Sequence, residues 1–375
     1  MAEVAVPAAC RPRRPVPARP GRPALAVGLD VGGTKIAAGL VRCSTSSPID
    51  TGSERPQEPE VLARRQAATP AGADAILDTC AALVDELREL AKTQEGQQVS
   101  AVGAGLPGVI DSARGIVLAA GSTVPGWAGT PAAAELGRRT GLPVRVDNDV
   151  RMAALGELAA GAGRGQRRVL LLSLGTGVGG AVVLDGTLQT GAVGTAGELA
   201  HLAVTEPGVI RCGCGSRWHL EAVASGPAIA AEYAHRTGSM AARTDAGAAG
   251  PGAPVPGSGV DLRAVGIALA AGDPVAAQVV SRAATLAGTA IAGLVTVLDV
   301  DTLILAGGAW QVGEQLRKDF ALTVAAGSWP ADRRLTMVPA ALGTAAPIVG
   351  AAVTALREHP RAQRAPGTSR EGNDR

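Results

Sequence analysis

LDVGGTKIAAGLV (Leu29–Val41) returns later in the chain as LSLGTGVGGAVVL (Leu172–Leu184). Both stretches run from an apolar segment through a short polar residue and a glycine-threonine turn into a second apolar segment. The first is flanked by the apolar run Ala24–Leu29 and continued by Ile36–Val41, so it reads as strand, turn, strand. The second does the same with Val169–Leu174 and Ala181–Leu184. Two copies of one plan, about half a folded chain apart, suggest duplicated halves that each present a glycine turn to a shared cleft.

Between the copies, strand and helix signals alternate. Ile76, Leu77, Cys80, Val84, Leu87 and Leu90 recur near helical spacing over Asp74–Lys92. Val99–Gly105 and Val144–Val146 read as strands, Val150–Ala160 and Val275–Leu298 as helices, and Thr302–Leu305 as a buried strand ending at Gly307-Gly308. This alternation predicts an α/β fold.

Three nucleotide motifs fail on context. Gly28–Lys35 approximates Walker spacing, but Thr34 precedes Lys35 and a strand follows where a P-loop needs a helix. Gly103–Gly108 and Gly175–Gly180 both satisfy G-x-G-x-x-G; Pro107 interrupts the first and the second runs into a strand. Neither opens a dinucleotide-binding helix. What remains is glycine turns between antiparallel strands. Lacking Cβ atoms, they let backbone N–H groups approach phosphate oxygens. Thr34 and Thr176 can add hydroxyl donors, and Asp30 suits a water-mediated Mg²⁺ contact. Two such turns face to face would clamp a nucleoside triphosphate.

The chain has 375 residues, 46% of them hydrophobic, with Lys+Arg 35 against Asp+Glu 33. Arg11, Arg13, Arg14, Arg19 and Arg22 lie within the first 23 residues with Glu3 as the sole acid, which leaves the remainder slightly acidic. A body of that sign with 2% aromatics offers neither the electrostatic footprint nor the stacking surface of a nucleic-acid binder. Five scattered cysteines make no disulfide framework. Without a signal-like or membrane-spanning apolar run, a soluble cytoplasmic protein with no membrane partner is expected. Residues 1–23 and 357–375 read as disordered tails, and Ala241–Gly259 as a flexible surface insertion.

GLDVGGTKIAAGLV, GAGLPGVID, VRVDNDVRMAALGE, LSLGTGVGGAVVLDG, GELAH and CGCGSRWHLEAVASG occur in the order seen in the ROK family, which the chain resembles from Leu25 to Leu356. That family comprises bacterial sugar kinases and sugar-responsive repressors. The resemblance implies a two-lobed, actin-like (ribonuclease H-like) ATPase fold with a central cleft, the lobes spanning residues 24–145 and 146–356. It implies that Asp30, Gly32, Gly33, Thr34 and Lys35 form the first phosphate loop, Gly175, Thr176 and Gly177 the second, and Gly307 and Gly308 the adenosine-side turn. Asp149 aligns with the catalytic base, and Asn148, Glu198, His201 and Glu221 with sugar-hydroxyl contacts. The Asn-Asp pair would equally cap the helix it precedes, and both uses can coexist.

Cys212 and Cys214, with His201 upstream and His219 downstream, supply a donor set suited to a structural zinc site. The family usually has a third cysteine where His219 stands and a small glycine at Trp218. The implied activity is transfer of the γ-phosphate of ATP, with Mg²⁺, to the 6-hydroxyl of a hexose or N-acylhexosamine by a homodimer or homotetramer. Ser122-Thr123 and Val146–Asp149 lean toward an acylated amino sugar. The alternatives are a sugar-responsive regulator, disfavoured by the short proline-rich stretch ahead of Leu25, and a sugar-binding pseudokinase.

Overall fold

The computed structural model describes residues 23–44, 58–121, 124, 126–239 and 259–357. The expected tails, except Pro23 and Arg357, lie outside these residues, as do the insertion except Gly259 and the pair Ser122-Thr123. The first half of the chain forms β1 (Pro23–Val31), β2 (Lys35–Ser44), β3 (Glu60–Ala68), α1 (Ala73–Glu95) and β4 (Val99–Leu106). It continues with the hairpin β5 (Val109–Asp111) and β6 (Ile116–Ala119), then α2 (Ala132–Thr140) and β7 (Val144–Asn148). The second half starts with α3 (Asp149–Ala160), β8 (Val169–Leu174), β9 (Val178–Leu184) and β10 (Thr187–Leu188). After these come α4 (Glu221–Ala224), α5 (Gly226–Arg236), α6 (Leu262–Ala270), α7 (Pro274–Leu298), β11 (Thr302–Ala306), α8 (Glu314–Gly327), β12 (Thr336–Pro339) and α9 (Ala346–Leu356).

The duplication inferred from the glycine turns reappears as sheet topology. One sheet runs β3-β2-β1-β4-β7 and the other β10-β9-β8-β11-β12. In each, the hairpin around the glycine turn is antiparallel and two further strands add in parallel on the other side. Parallel strands covered on both faces read as continuous apolar runs. β1 fits: Leu25, Val27 and Leu29 join the core under α1, while Ala26 packs with Ile348, Val349 and Ala352 of α9.

The helices obey local rules. α1 buries Ile76, Leu77, Cys80, Leu83, Val84, Leu87 and Ala91 along one side, and Gly96 ends it in the left-handed conformation (φ 61°). At the start of α7, Asp273 accepts hydrogen bonds from Val275 N (2.7 Å) and Ala276 N (3.3 Å), and proline occupies the first turn. Among the described residues α7 alone has the length and hydropathy to cross a bilayer, yet most of that window is buried against α4, α5, α6 and α8. It is the central helix of the second core.

The sequence boundary at 145/146 falls inside β7, the edge strand of the first sheet. The C-terminal helix also departs from the linear division, because α9 lies on the first sheet rather than the second. Glycines make this contact possible. A Cβ at Gly28 or Gly103 would overlap the carbonyls of Ile348 and Ala351 on α9. Where α3 and α9 cross, a Cβ at Gly156 would overlap Ala346 O, and one at Gly350 would overlap Met152 O. β3, read as no element in sequence, is a half-exposed edge strand whose polar run EVLARRQAA carries little period-2 signal.

Glu157 pins the crossing. Fully buried on α3, it accepts backbone N–H groups from Ala162 (2.8 Å), Ala341 (3.0 Å) and Leu342 (2.8 Å), the last two in the segment leading to α9. Glu157→Ala would strand three donors and is expected to cost about 3 kcal/mol or more. Gly350→Val would push two backbones apart at a similar cost. Denaturant unfolding of both variants checks this, and a loss below about 1 kcal/mol for either contradicts the packing described.

Candidate active site

Asp30, Gly105 and Asp147 are in register across β1, β4 and β7, at the C-terminal ends of three parallel strands. In α/β sheets such edges carry ligand sites, because the following turns and helix N-termini converge there. Asp149 follows at the first turn of α3, close enough that a Cβ on Gly105 would sit 3.0 Å from its Cα. The Asp149 carboxyl is half-buried and its pKa rises to about 7. Desolvation is the largest cause; the carboxylates of Asp30 and Glu198 add to it, and backbone N–H donation opposes it. Asp30 is raised to about 6 by burial, with Lys35 pulling it back. The effect of Asp30 on Asp149 puts the first glycine turn and Asp149 in one electrostatic neighbourhood.

Asn148 caps α3. Its Oδ1 accepts from Val150 N (2.9 Å) and Arg151 N (3.2 Å), and its Nδ2 donates to Gly108 O (3.1 Å). Both amide lone pairs are thereby used, so one N–H remains for a ligand. Asp149 Oδ1 also accepts from Val150 N at 2.9 Å. The cap thus falls mainly on Asn148.

The first turn is braced from β3's exit: Thr69 Oγ1 donates to Gly32 O at 2.6 Å and Thr69 N to Thr34 O at 3.1 Å, while Gly33, Thr34 and Lys35 stay exposed. Beside it lies a cavity of about 400 Å³ lined by Asp30, Lys35, Arg64, Gln66 and Thr344. Arg64 and Gln66 sit on the strand that sequence reading missed. The second turn is closed by Gly175 N donating to Gly177 O (2.9 Å) and tied to the start of α5 by Gly226 N donating to Gly175 O (2.8 Å). Thr176 is exposed at its tip. Gly307 (φ 90°) packs on the backbone of Leu174, where a Cβ would overlap its carbonyl, so the Gly307-Gly308 turn lies against the second glycine turn.

Glu221 links two parts of the second lobe. One carboxylate oxygen accepts from Val178 N (3.2 Å), beside the second turn; the other accepts from Gly213 N (2.9 Å), between the two cysteines. Glu198, half-buried, has its pKa raised by burial, with His201 and Arg151 lowering it and Glu221 raising it. The structure thus brings Asp30, Asp149, Glu198, His201 and Glu221 into one continuous neighbourhood along the cleft. Arg151 was not singled out in sequence although it stands four residues, one helical turn, past Asp147.

His201, Cys212, Cys214 and His219 place their donor atoms within 4.8 Å of one another. The Nδ1 atoms of the two histidines are 3.4 Å apart, Cys212 Sγ is 3.6 Å from His201 Nδ1, and Cys214 Sγ is 3.1 Å from His219 Nδ1. A regular tetrahedral zinc site puts nitrogen pairs about 3.3 Å and nitrogen–sulfur pairs about 3.5 Å apart, given its usual bond lengths. The residues present fit such an ion, with His219 in the position of the cysteine the sequence comparison led one to expect. Trp218 is 54% exposed, so its bulk at a glycine position needs no room inside the loop.

Duplicated glycine-turn sheets, a cleft between them and a carboxylate at the strand ends define a two-lobed, actin-like sugar kinase. The ROK family model matches residues 26–358, and the chain belongs to that family. It is 32% identical over 343 residues to a glucokinase of Streptomyces coelicolor, covering 90% of this chain and 99% of that one. It is 34% identical over 342 residues to the bifunctional enzyme NanE/NanK of Brucella melitensis, covering 89% of this chain and 54% of the relative. Among solved structures, a ROK family glucokinase from Streptomyces griseus in complex with glucose and AMPPNP superposes with a TM-score of 0.67 at 33% identity, covering 88% of this chain and 99% of that one.

Proposed function

We propose that the protein is an ATP-dependent kinase that phosphorylates the 6-hydroxyl of a hexose, glucose first, with N-acylhexosamines as the other substrate class. The observation that carries this reading is Asp149: a carboxyl raised to about 7, held at the C-terminal sheet edge beside the Asp30 turn. In this mechanism Asp149 accepts the proton of the sugar 6-hydroxyl as O6 attacks the γ-phosphorus. The new O–P bond forms, the β,γ-bridging bond breaks and ADP leaves. Such a base supplies about 10²–10⁴-fold, and the rest is positioning and charge neutralisation. The two glycine turns hold the phosphates, Lys35 offers a cation, and Glu198, Glu221 and the remaining Asn148 N–H meet sugar hydroxyls. Mg²⁺ would neutralise phosphate charge, and Asp30, whose buried carboxyl gains from a nearby cation, is the residue suited to it. The glucokinase relatives support glucose; the NanE/NanK relative supports the acylated class.

Zinc at His201, Cys212, Cys214 and His219 would be structural, fixing the loop whose Gly213 N–H holds Glu221 and leaving Nε2 of His201 for the sugar side.

Purified protein with Mg²⁺-ATP and glucose, mannose, N-acetylglucosamine or N-acetylmannosamine, followed by ADP release, tests the activity; no turnover on any of the four would end this reading. Asp149→Asn should lower kcat about 10²-fold or more while sugar binding persists. Because the raised Asp149 must be ionised to act, kcat/KM should fall as pH drops through about 7. An acidic limb near 4 would remove Asp149 from the role. Metal analysis should find one zinc per chain, lost in Cys214→Ser together with sugar affinity. Chelation that leaves melting temperature and sugar affinity unchanged argues against the zinc assignment.

A further inference from the structure

Arg151 is 1% exposed and makes no contact with either glycine turn. Its Nη1 donates to Asp147 Oδ1 at 3.0 Å, one turn back at the end of β7, and Asp147 is itself 5% exposed. Its Nη2 donates to Gly194 O and, at 3.1 Å, to Ala196 O. Those carbonyls belong to the connection from β10 to Glu198. Within that connection Ala196 N donates to Thr190 O and Glu198 N to Thr195 O, both at 3.2 Å; its ends are held on β9, where Gln189 N donates to Val182 O (2.8 Å) and Gly197 packs on the backbone of Gly180. Gly194 (φ 80°) rests on the β5–β6 hairpin, 3.2 Å separating its Cβ position from Ile110 O and from Val109 Cγ1. Between these anchors the guanidinium ties the end of the strand that delivers Asn148-Asp149 to the middle of the loop that delivers Glu198.

We infer that Arg151 is a positioning residue for sugar recognition: through the carbonyls of Gly194 and Ala196 it sets the place of Glu198 relative to Asp149. The inference rests on the reading of Glu198 as a sugar contact. The chemistry suits arginine in particular. One planar fork satisfies a carboxylate and two carbonyls together, whereas an ammonium on a flexible stem holds one partner at a time. Burial makes the arrangement strict, because Asp147 without a cation would be left as an unpaired interior charge.

Arg151→Lys keeps that charge and should fold, whereas Arg151→Met tests the full loss where it remains soluble. With melting temperature recorded for each, Arg151→Lys is expected to raise the sugar KM about tenfold, in the range that small misplacements of a binding group produce, with the KM for ATP unchanged. Glu198→Gln should raise the sugar KM as well, and Arg151→Lys/Glu198→Gln should be no worse than Glu198→Gln alone. A folded Arg151→Lys enzyme with wild-type sugar KM, or a double variant whose defects multiply, overturns the inference while leaving Glu198 as a contact. A Glu198→Gln enzyme with wild-type sugar KM removes the contact itself, and the role of Arg151 with it. Parallel rises in both KM values would mark Arg151 as merely structural, and would also overturn the inference.

Discussion

The crossing of α3 and α9 is the constraint on which the rest depends. Two helices touch backbone to backbone because Gly156 and Gly350 lack side chains at the contact, and α9 then lies on the first sheet through Gly28 and Gly103. α3 in turn packs on the second sheet, with Ala154 joining Val169, Leu171, Ala181 and Ile304. Each lobe thus lends a helix to the layer between them. Close-packed interiors transmit displacement rather than absorb it. The helix that starts at Asp149 is therefore fixed against both sheets, and the carboxylate it carries is aimed by the whole fold.

The cleft gathers acids at a cost. Burial raises Asp30, Asp149 and Glu198, and the charges of Asp30 and Glu198 raise Asp149 further, so the site concentrates negative potential around that carboxyl. That excess is the electrostatic counterpart of what a kinase receives: metal-bound phosphate on one side and an alcohol proton on the other. Lys35 and Arg64 on the far side of Asp30 balance it where the donor phosphates are proposed to lie.

Much of this was legible in sequence. The glycine-turn echo predicted duplication, and the sheets repeat one strand order. Asp149 stood out through the family resemblance; the local order of apolar strand, Asn-Asp pair and helix places the pair at a sheet edge but suits a helix cap equally well. The convergence of His201, Cys212, Cys214 and His219 was foreshadowed by their residue types and close spacing, and the histidine in place of a cysteine by the family resemblance. What escaped were features whose signal is tertiary. β3 has a polar, weakly alternating sequence that only its partner strand makes a strand. Arg151 and Glu157 look like ordinary helix charges until the crossing buries them. The membership of α9 in the first lobe had no local mark at all, because small apolar residues such as Ala351 and Ala352 would pack on either sheet.

The placement of α9 has a consequence for biosynthesis. The first sheet is complete by Asn148, but one face of it stays bare until Ala346–Leu356 arrives. A nascent chain emerging from its N-terminus must carry that uncovered face through the synthesis of roughly two hundred further residues. Domains generally fold as units during translation, and a unit missing its final helix exposes apolar surface to neighbouring polypeptides. The last helix to leave the ribosome is thus the one that seals the first half made.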